Sequence, residues 1–149
     1  MRPLILFLAI MGLSSISRAQ TAEDSVKNVI NKLFEGMKAG NGQMIKETFT
    51  DSAILQTIGN GEAGIKIENE SLNDFVKQVS KLPKGSADER VTYDVIKIDG
   101  PLALVWAPYK FYFNGIFSHC GVDSFQLVKI KGEWKIQYLV DTRRKKGCE

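Results

Sequence analysis

The sequence contains few of the residues from which metal sites and reactive centres are usually built. Its 149 residues include one histidine and two cysteines, so a metal site with several histidine ligands in one subunit is excluded. It also has no glycine-rich phosphate loop, dinucleotide fingerprint, nucleophile elbow or zinc-spacing motif. We therefore expect neither a metal nor a cofactor.

The chain also has no apolar run long enough to cross a membrane. The segment from Leu4 to Leu13 has about ten residues, whereas a spanning helix needs roughly 20. It follows Arg2 and precedes the small residues Ser17 and Ala19, which is the pattern of a cleavable signal peptide. We predict a signal peptide over residues 1–19 and a single domain over residues 20–149. The protein is then periplasmic or secreted, without stable membrane insertion.

An excess of one charge sign is absent as well. Lysine and arginine number 20 against 17 acidic residues, a net charge of +3. Cleavage would remove Arg2 and Arg18 and leave a net charge of about +1. Such a balance provides no electrostatic basis for binding nucleic acid, which requires many phosphate contacts. The basic run from Arg143 to Lys146 is short and typical of a solvated tail.

Helical periodicity marks the first half of the mature chain. Thr21 and Asp24 form a capping-box pattern, apolar residues recur at helical spacing from Val26 to Met37, and Gly40 ends this first helix. A short second helix is predicted at about 43–49, with Phe49 pointing inward. Strands are predicted at 53–57 and about 64–68. A third helix follows a second capping pattern at 71–74.

The second half is rich in alternating and aromatic residues separated by two-residue turns. Asp99-Gly100, Asn114-Gly115 and Lys131-Gly132 are typical hairpin turns. They separate four predicted strands, at 90–98, 102–113, 116–130 and 133–141. Pro108 indicates a bulge or bend in the second of these. Helices followed by an antiparallel meander predict an α+β fold, with the helices on one face of a curved sheet.

Two segments, VWAPYKFYFNGIFSHCGVDSFQLVK and EWKIQYLVDTRRKKGC, carry a resemblance to a known superfamily. Together with the order of elements, they resemble the nuclear-transport-factor-2-like superfamily. The phrases at 119–123 and 141–144 are similar to its exported bacterial SnoaL-like or lumazine-binding-like branch. The resemblance implies a cone-shaped curved sheet wrapped around about three N-terminal helices, with a cavity open at one end. It also implies a homodimer formed through the outer sheet face.

Four polar residues near the end of the chain are the candidate site. If the hairpin at 131–132 is tight, Asp141 lies opposite Asp123 and Arg143 opposite Gly121. His119 shares a face with Asp123 because alternate residues of a strand point the same way. This patch could bind a ligand in a pocket, with His119 and Asp123 as weak catalytic candidates. It could instead be a structural charge network with Arg143 paired across strands.

The strand at 102–113 supplies further candidates for ligand binding. Alternation places Trp106 and Tyr112 on one face and Tyr109, with Phe111, on the other. Aromatic side chains could line an apolar pocket, or they could belong to the core and a dimer interface. The candidate ligand-binding residues are thus Trp106, Tyr109, Tyr112, His119, Asp123, Asp141 and Arg143.

The two cysteines, Cys120 and Cys148, both lie in the predicted mature chain. An oxidising compartment favours a disulfide between them. Two free thiols or one reactive thiol remain alternatives.

Fold resemblance does not decide among functions, because the superfamily contains isomerases, dehydratases, cyclases and non-catalytic binders. The interpretation that fits the sequence best is an exported domain that binds a small, partly apolar molecule. One alternative is an acid–base enzyme of the isomerase or dehydratase type, using Asp123, His119 or a tyrosine. A second alternative is a dimeric protein-interaction module.

Overall fold

The structure is a computed structural model that describes residues 21–62 and 64–148. The predicted signal peptide lies outside the described residues. These described residues form three helices: α1 (Ala22–Ala39), α2 (Gly42–Lys46) and α3 (Leu72–Val79). No described helix combines the length and the apolar character that a membrane span needs.

The ends of α1 follow from its sequence. The Thr21 hydroxyl accepts a hydrogen bond from the Asp24 amide at 3.1 Å, and the Asp24 carboxylate accepts one from the Thr21 amide at 3.4 Å. This reciprocal pair confirms the predicted capping box, which satisfies two amides that the helix leaves free. Gly40 ends the helix with a φ of 64°, a left-handed conformation that glycine adopts without strain.

Helix α2 ends three residues earlier than predicted. Phe49 begins the first strand instead, because the Thr48 carbonyl accepts a hydrogen bond from the amide of Ile136 at 2.8 Å. The chain therefore joins the sheet at Phe49 instead of continuing the helix. The part of the chain that the structure describes contains seven strands: β1 (Phe49–Gly61), β2 (Gly64–Glu70), β3 (Ala87–Val91), β4 (Val95–Asp99), β5 (Leu102–Phe113), β6 (Ile116–Ile130) and β7 (Glu133–Thr142).

The seven strands form one curved, mixed sheet in the order β2-β1-β7-β6-β5-β3, with β4 also paired to β5. All pairs are antiparallel except β1 with β7, which run parallel. The predicted α+β class with a curved sheet is confirmed, and the prediction of a purely antiparallel sheet is wrong at this one pair. The parallel pair brings Thr57 beside Asp141.

The single strand predicted at 90–98 is wrong: the chain forms two strands there. Val91 pairs with Tyr109, and Val95 pairs with Trp106. The chain therefore advances four residues from β3 to β4 while the opposite strand, β5, advances three. The interruption lies opposite Pro108, whose carbonyl accepts from the Thr92 amide at 2.9 Å. Because proline has no amide hydrogen, the ladder cannot continue regularly past it.

The concave face of the sheet packs against α1. Ile30 and Leu33 of the helix and Val105, Phe125 and Ile136 of the sheet have almost no exposed surface. Phe34 meets Phe125 edge to face, with ring centroids 6.3 Å apart. This apolar core covers part of the concave face. Polar side chains, among them Asp123 and Asp141, lie at the end of the face next to it.

Candidate functional site

A small cavity of about 70 Å³ lies at that polar end of the core. Helices α1 and α3 supply an apolar wall that includes Leu33, Met37 and Phe75. Strands β1, β3, β5, β6 and β7 supply polar groups. The polar lining of the cavity includes Thr57, Glu89, Tyr109, His119, Asp123, Asp141 and Arg143. Helix packing thus closes the cavity on one side, and strand pairing gathers its chemistry on the other.

Two carboxyl groups, those of Glu89 and Asp123, face each other in this interior. Glu89 lies on β3 and shares a face with Val91, which packs on the core. Asp123 lies on β6 and is only 3% exposed. Burial raises the pKa of Asp123 well above its ordinary range, and the neighbouring Glu89 raises it further. Burial likewise raises the pKa of Glu89 to about 7. The pair therefore retains a proton near neutral pH.

One oxygen of this pair has no hydrogen-bond partner among the described residues. It is the Oδ2 atom of Asp123, which is buried. A buried acceptor without a donor is unfavourable by about 1–3 kcal/mol. Two groups can satisfy it: a proton held between the two carboxyls, or an N–H or O–H of a molecule in the cavity. The pair can thus accept one hydrogen bond and donate another.

A second network surrounds Asp141. The Tyr109 hydroxyl donates to Asp141 at 3.2 Å and to the Thr142 carbonyl at 2.9 Å. Arg143 donates through Nε to Asp141 at 2.9 Å and through Nη2 to Thr57 at 3.0 Å, and the Thr57 hydroxyl donates to Asp141 as well. Burial and the Asp141 charge raise the pKa of Tyr109. Tyr109 therefore stays a neutral donor.

His119 lies at the junction between this cavity and the surface. Its ring meets Tyr109 edge to face at 5.7 Å and tilts over Phe111 at 5.0 Å. Burial lowers the pKa of His119, and the charge of Arg143 lowers it further. His119 is therefore neutral at pH 7 and contributes a flat, uncharged wall.

A larger, open groove of about 620 Å³ adjoins the cavity. Thr57, His119 and Arg143 line both spaces. The groove also contains Lys66 and Glu68 of β2 and the residues at 144–146. The site consequently has an acidic inner part and a basic outer part that meet at three side chains.

The structure brings together five of the predicted site residues: Tyr109, His119, Asp123, Asp141 and Arg143 all line the inner cavity. Arg143 pairs with Asp141 along its own chain segment rather than across strands. Among the described residues, no group of three or more His, Cys, Asp or Glu side chains is arranged to hold a metal ion.

The other two predicted residues lie elsewhere. Trp106 is 45% exposed on the outer face of β5, because burial alternates along this strand. Tyr112 follows the register shift after Phe111, and the Arg90 guanidinium lies 4.2 Å from its ring centroid. Neither side chain lines the cavity, because both point away from the face of the sheet that carries it.

Glu89 was not among the predicted residues, although its strand carried a signal. The predicted strand began at Arg90, whereas β3 begins at Ala87. Extending the alternation of Val91 back by two residues places Glu89 on the core face. A charged residue at a core-facing position is unusual and indicates a functional or paired group. Thr57 could not be found in this way, because it depends on the parallel pairing of β1 with β7.

Cys120 and Cys148 form a disulfide, with their Cα atoms 5.7 Å apart. The backbone of Arg144 also pairs with that of Cys120 through two hydrogen bonds of 2.9 Å. The side chains at 144–146 are exposed, as expected of a solvated tail. Their backbone, however, is held against β6 at both ends of the segment.

Sequence comparison decides the family. The profile of the family described as "Putative lumazine-binding" matches residues 21–138, most of the chain. The chain belongs to this family. No curated protein shows significant sequence similarity to it.

Solved structures confirm the predicted nuclear-transport-factor-2-like fold. A nuclear-transport-factor-2-like protein of unknown function from Shewanella baltica is 17% identical, with a TM-score of 0.64 over 83% of this chain and 94% of that chain. One from Methylobacillus flagellatus is 20% identical, with a TM-score of 0.62 over 83% and 92%. A cystatin-like domain of unknown function from Nostoc punctiforme is 16% identical, with a TM-score of 0.66 over 84% and 78%. At these identities the likeness concerns the fold.

Proposed function

We propose that this chain binds a small, partly apolar organic molecule that lies in the outer groove and inserts a hydrogen-bonding edge into the inner cavity. The observation that carries the proposal is the carboxyl pair of Asp123 and Glu89 at the cavity, in which the buried Oδ2 of Asp123 has no donor among the described residues other than a proton shared with Glu89. A bound N–H group would supply the missing hydrogen bond.

The sizes of the two spaces support this division. A cavity of about 150 Å³ in a protein interior can hold a benzene ring, and the space of about 70 Å³ is half that size, so it accepts only part of such a molecule. The outer groove of about 620 Å³ is within the roughly 300–1,000 Å³ typical of small-molecule sites. Most of the ligand would therefore lie in the groove, against His119.

The chemistry of the carboxyl pair favours a lactam edge on the ligand. A lactam presents an N–H donor and a C=O acceptor side by side. A carboxyl pair that keeps one proton offers the complementary acceptor and donor. Lumazine has such edges on a flat heteroaromatic ring, and the description of the family points to the same compound.

Equilibrium dialysis with lumazine as the probe tests this function. We expect the wild-type chain to retain lumazine with one site per chain. We expect Asp123→Leu, which keeps the branching at Cγ but cannot hydrogen-bond, to weaken binding at least about tenfold, since a buried polar group left without its partner costs about 1–3 kcal/mol.

The control is Asp94→Leu, because Asp94 is exposed and lies away from both cavities. It should bind lumazine as the wild type does, and thermal melting should show that both variants are folded. Absence of lumazine retention by the wild type, or equal retention by Asp123→Leu, would contradict the proposal.

A second candidate function, proton transfer, is favoured by the pKa of Glu89. A pKa of about 7 suits a general base at neutral pH, while Asp123 keeps its proton beside it. Tyr109 remains protonated, and its hydroxyl would have to turn away from Asp141 and the Thr142 carbonyl to donate to a developing oxyanion. In this role Glu89 is the base, rather than Asp123 or His119.

A general-base reaction with 5-nitrobenzisoxazole tests the second candidate. Removal of the proton from carbon breaks the N–O bond and releases a coloured phenolate. We expect a protein-dependent rate that rises with pH with a midpoint near 7 and is absent in Glu89→Gln. A rate that is independent of pH from 6 to 8, or that persists in Glu89→Gln, would exclude Glu89 as the base.

A further inference from the structure

The outer groove has a strong positive charge that the net charge of the chain does not suggest. Among the residues that the structure describes, five cationic side chains line it against the single carboxylate of Glu68. Lys66 pairs with Glu68 at 2.8 Å, and Arg143 pairs with Asp141 at 2.9 Å. Within each of these two pairs, the carboxylate neutralises the charge of the cation.

The remaining three cations of the groove, Arg144, Lys145 and Lys146, are not compensated by the described residues. None of them forms a salt bridge there, and the Arg144 guanidinium donates only to the Gly147 carbonyl, at 3.3 Å. Like charges in neighbouring positions repel one another, so an arrangement that concentrates them benefits from a bound anion.

The segment that carries these cations is held in place on two sides. The amide of Arg143 donates to the Ile58 carbonyl of β1 at 3.2 Å, and Arg144 pairs with Cys120 of β6. The disulfide between Cys120 and Cys148 ties the far end of the segment to the same strand. A segment fixed before binding loses less conformational entropy when a ligand arrives.

We propose that the segment 144–146 is a phosphate-binding subsite for the same ligand that reaches the Glu89–Asp123 pair, so that the physiological ligand is a phosphorylated small molecule. This inference rests on the proposed function. Lysine and arginine together suit a phosphate, because it carries nearly two charges and three acceptor oxygens. The groove and the cavity share His119, Arg143 and Thr57, so one molecule can contact both.

Riboflavin and riboflavin 5′-phosphate form a matched pair of probes. Both carry a lactam edge on a flat ring, and they differ only in the phosphate at the end of the ribityl chain. We expect the wild-type protein to bind the phosphate form at least about tenfold more tightly at pH 7.5 and low salt. The ratio should fall towards one as salt is added, because the groove is open to solvent.

Two variants and one control test whether the preference for the phosphate form depends on the segment 144–146. In Lys145→Gln/Lys146→Gln, the preference for riboflavin 5′-phosphate over riboflavin should disappear, because these two side chains are the ones that contact the phosphate. The matched control is Lys84→Gln/Lys97→Gln, which removes two exposed lysines outside the groove and should leave the ratio intact. Cys148→Ser, which releases the end of the segment, should reduce the ratio and leave riboflavin binding unaltered.

The outcomes separate this proposal from the one on which it rests. Equal affinities for the two flavins in the wild type would overturn the phosphate subsite and leave ligand binding in place. If neither flavin binds, the binding function fails for this class of ligand, and a titration with inorganic pyrophosphate decides the subsite. Amide NMR shifts at 144–146 that saturate would support it, and their absence would overturn it.

Discussion

At the scale of single residues, the carboxyl groups of Glu89 and Asp123 are the most unusual feature of this chain. Neither forms a salt bridge with a described residue. Two ionised carboxylates this close together would repel each other, and the buried Asp123 would also lack hydration. The pair avoids this state by retaining a proton, which also equips it to donate and accept hydrogen bonds.

This retained proton predicts how stability depends on pH. Burial raises the pKa of Glu89 from its ordinary value of 4.5 to about 7 in the folded chain. Between those values the folded state holds more protons than the unfolded state, so the free energy of unfolding falls as pH rises from about 4.5 to about 7. Glu89→Gln removes this dependence, and we expect the loss between pH 5 and pH 7.5 to shrink by about 2–3 kcal/mol.

Urea unfolding at the two pH values measures this difference. Glu62→Gln is the control, because Glu62 is an exposed residue of the β1–β2 turn, and it should show the wild-type dependence. If Glu89→Gln lost as much stability between pH 5 and pH 7.5 as the wild type, Glu89 would not be the group that keeps the proton.

At the scale of elements, the close approach of β6, β7 and β5 positions Tyr109 over the site. Gly121 permits this approach. A Cβ atom on Gly121 would lie 1.7 Å from the Thr142 carbonyl oxygen and 2.7 Å from Cε1 of Tyr109. The Thr142 carbonyl is also the acceptor of the Tyr109 hydroxyl, so the same contact fixes the aromatic ring beside Asp141.

We therefore expect Gly121→Ala to lower the free energy of unfolding by about 1–3 kcal/mol or more, because the backbone of β7 must move away. Gly59→Ala is the matched control: Gly59 also lies in a strand, and a Cβ there meets no atom within 4 Å. It should be close to neutral. Urea unfolding of both variants makes the comparison, and a Gly121→Ala chain as stable as the wild type would show that the strands are not in tight contact.

Element boundaries were predictable where local chemistry defines them. The spans of β5 and β6 agree with the prediction because two-residue turns flank both. The boundary of α2 and the division between β3 and β4 were not predictable. They depend on Ile136 and Pro108, which lie far away in the chain, and so on pairings that a local pattern does not contain.

At the scale of the whole molecule, the distribution of charge matters more than its total. A net charge of +3 gave no reason to expect an anion site, yet the fold collects cations from β2 and from the end of the chain at one groove. Next to it, the same fold collects carboxyls in an apolar interior. The site therefore combines a solvent-exposed basic groove with a cavity that contains carboxyl groups, rather than one patch of a single charge.

The outer face of the sheet and the start of the chain carry two expectations that stay predictions. Leu102, Leu104 and Trp106 are all exposed on the outer face of β5, and a homodimer would bury them. Export depends on residues 1–19, outside the described part of the chain. Both concern how the domain is delivered and assembled rather than the chemistry of its cavity.

The sequence by itself determined the helices with their caps, the hairpins and the α+β class, because these follow from contacts between residues close along the chain. It also placed His119, Asp123 and Asp141 on one face, since one hairpin sets their register. The tertiary structure alone decided that Glu89 lies against Asp123, that Thr57 joins Asp141 and that Trp106 points away. Those arrangements arise from pairings between distant strands and from the curvature of the sheet, which no local pattern encodes.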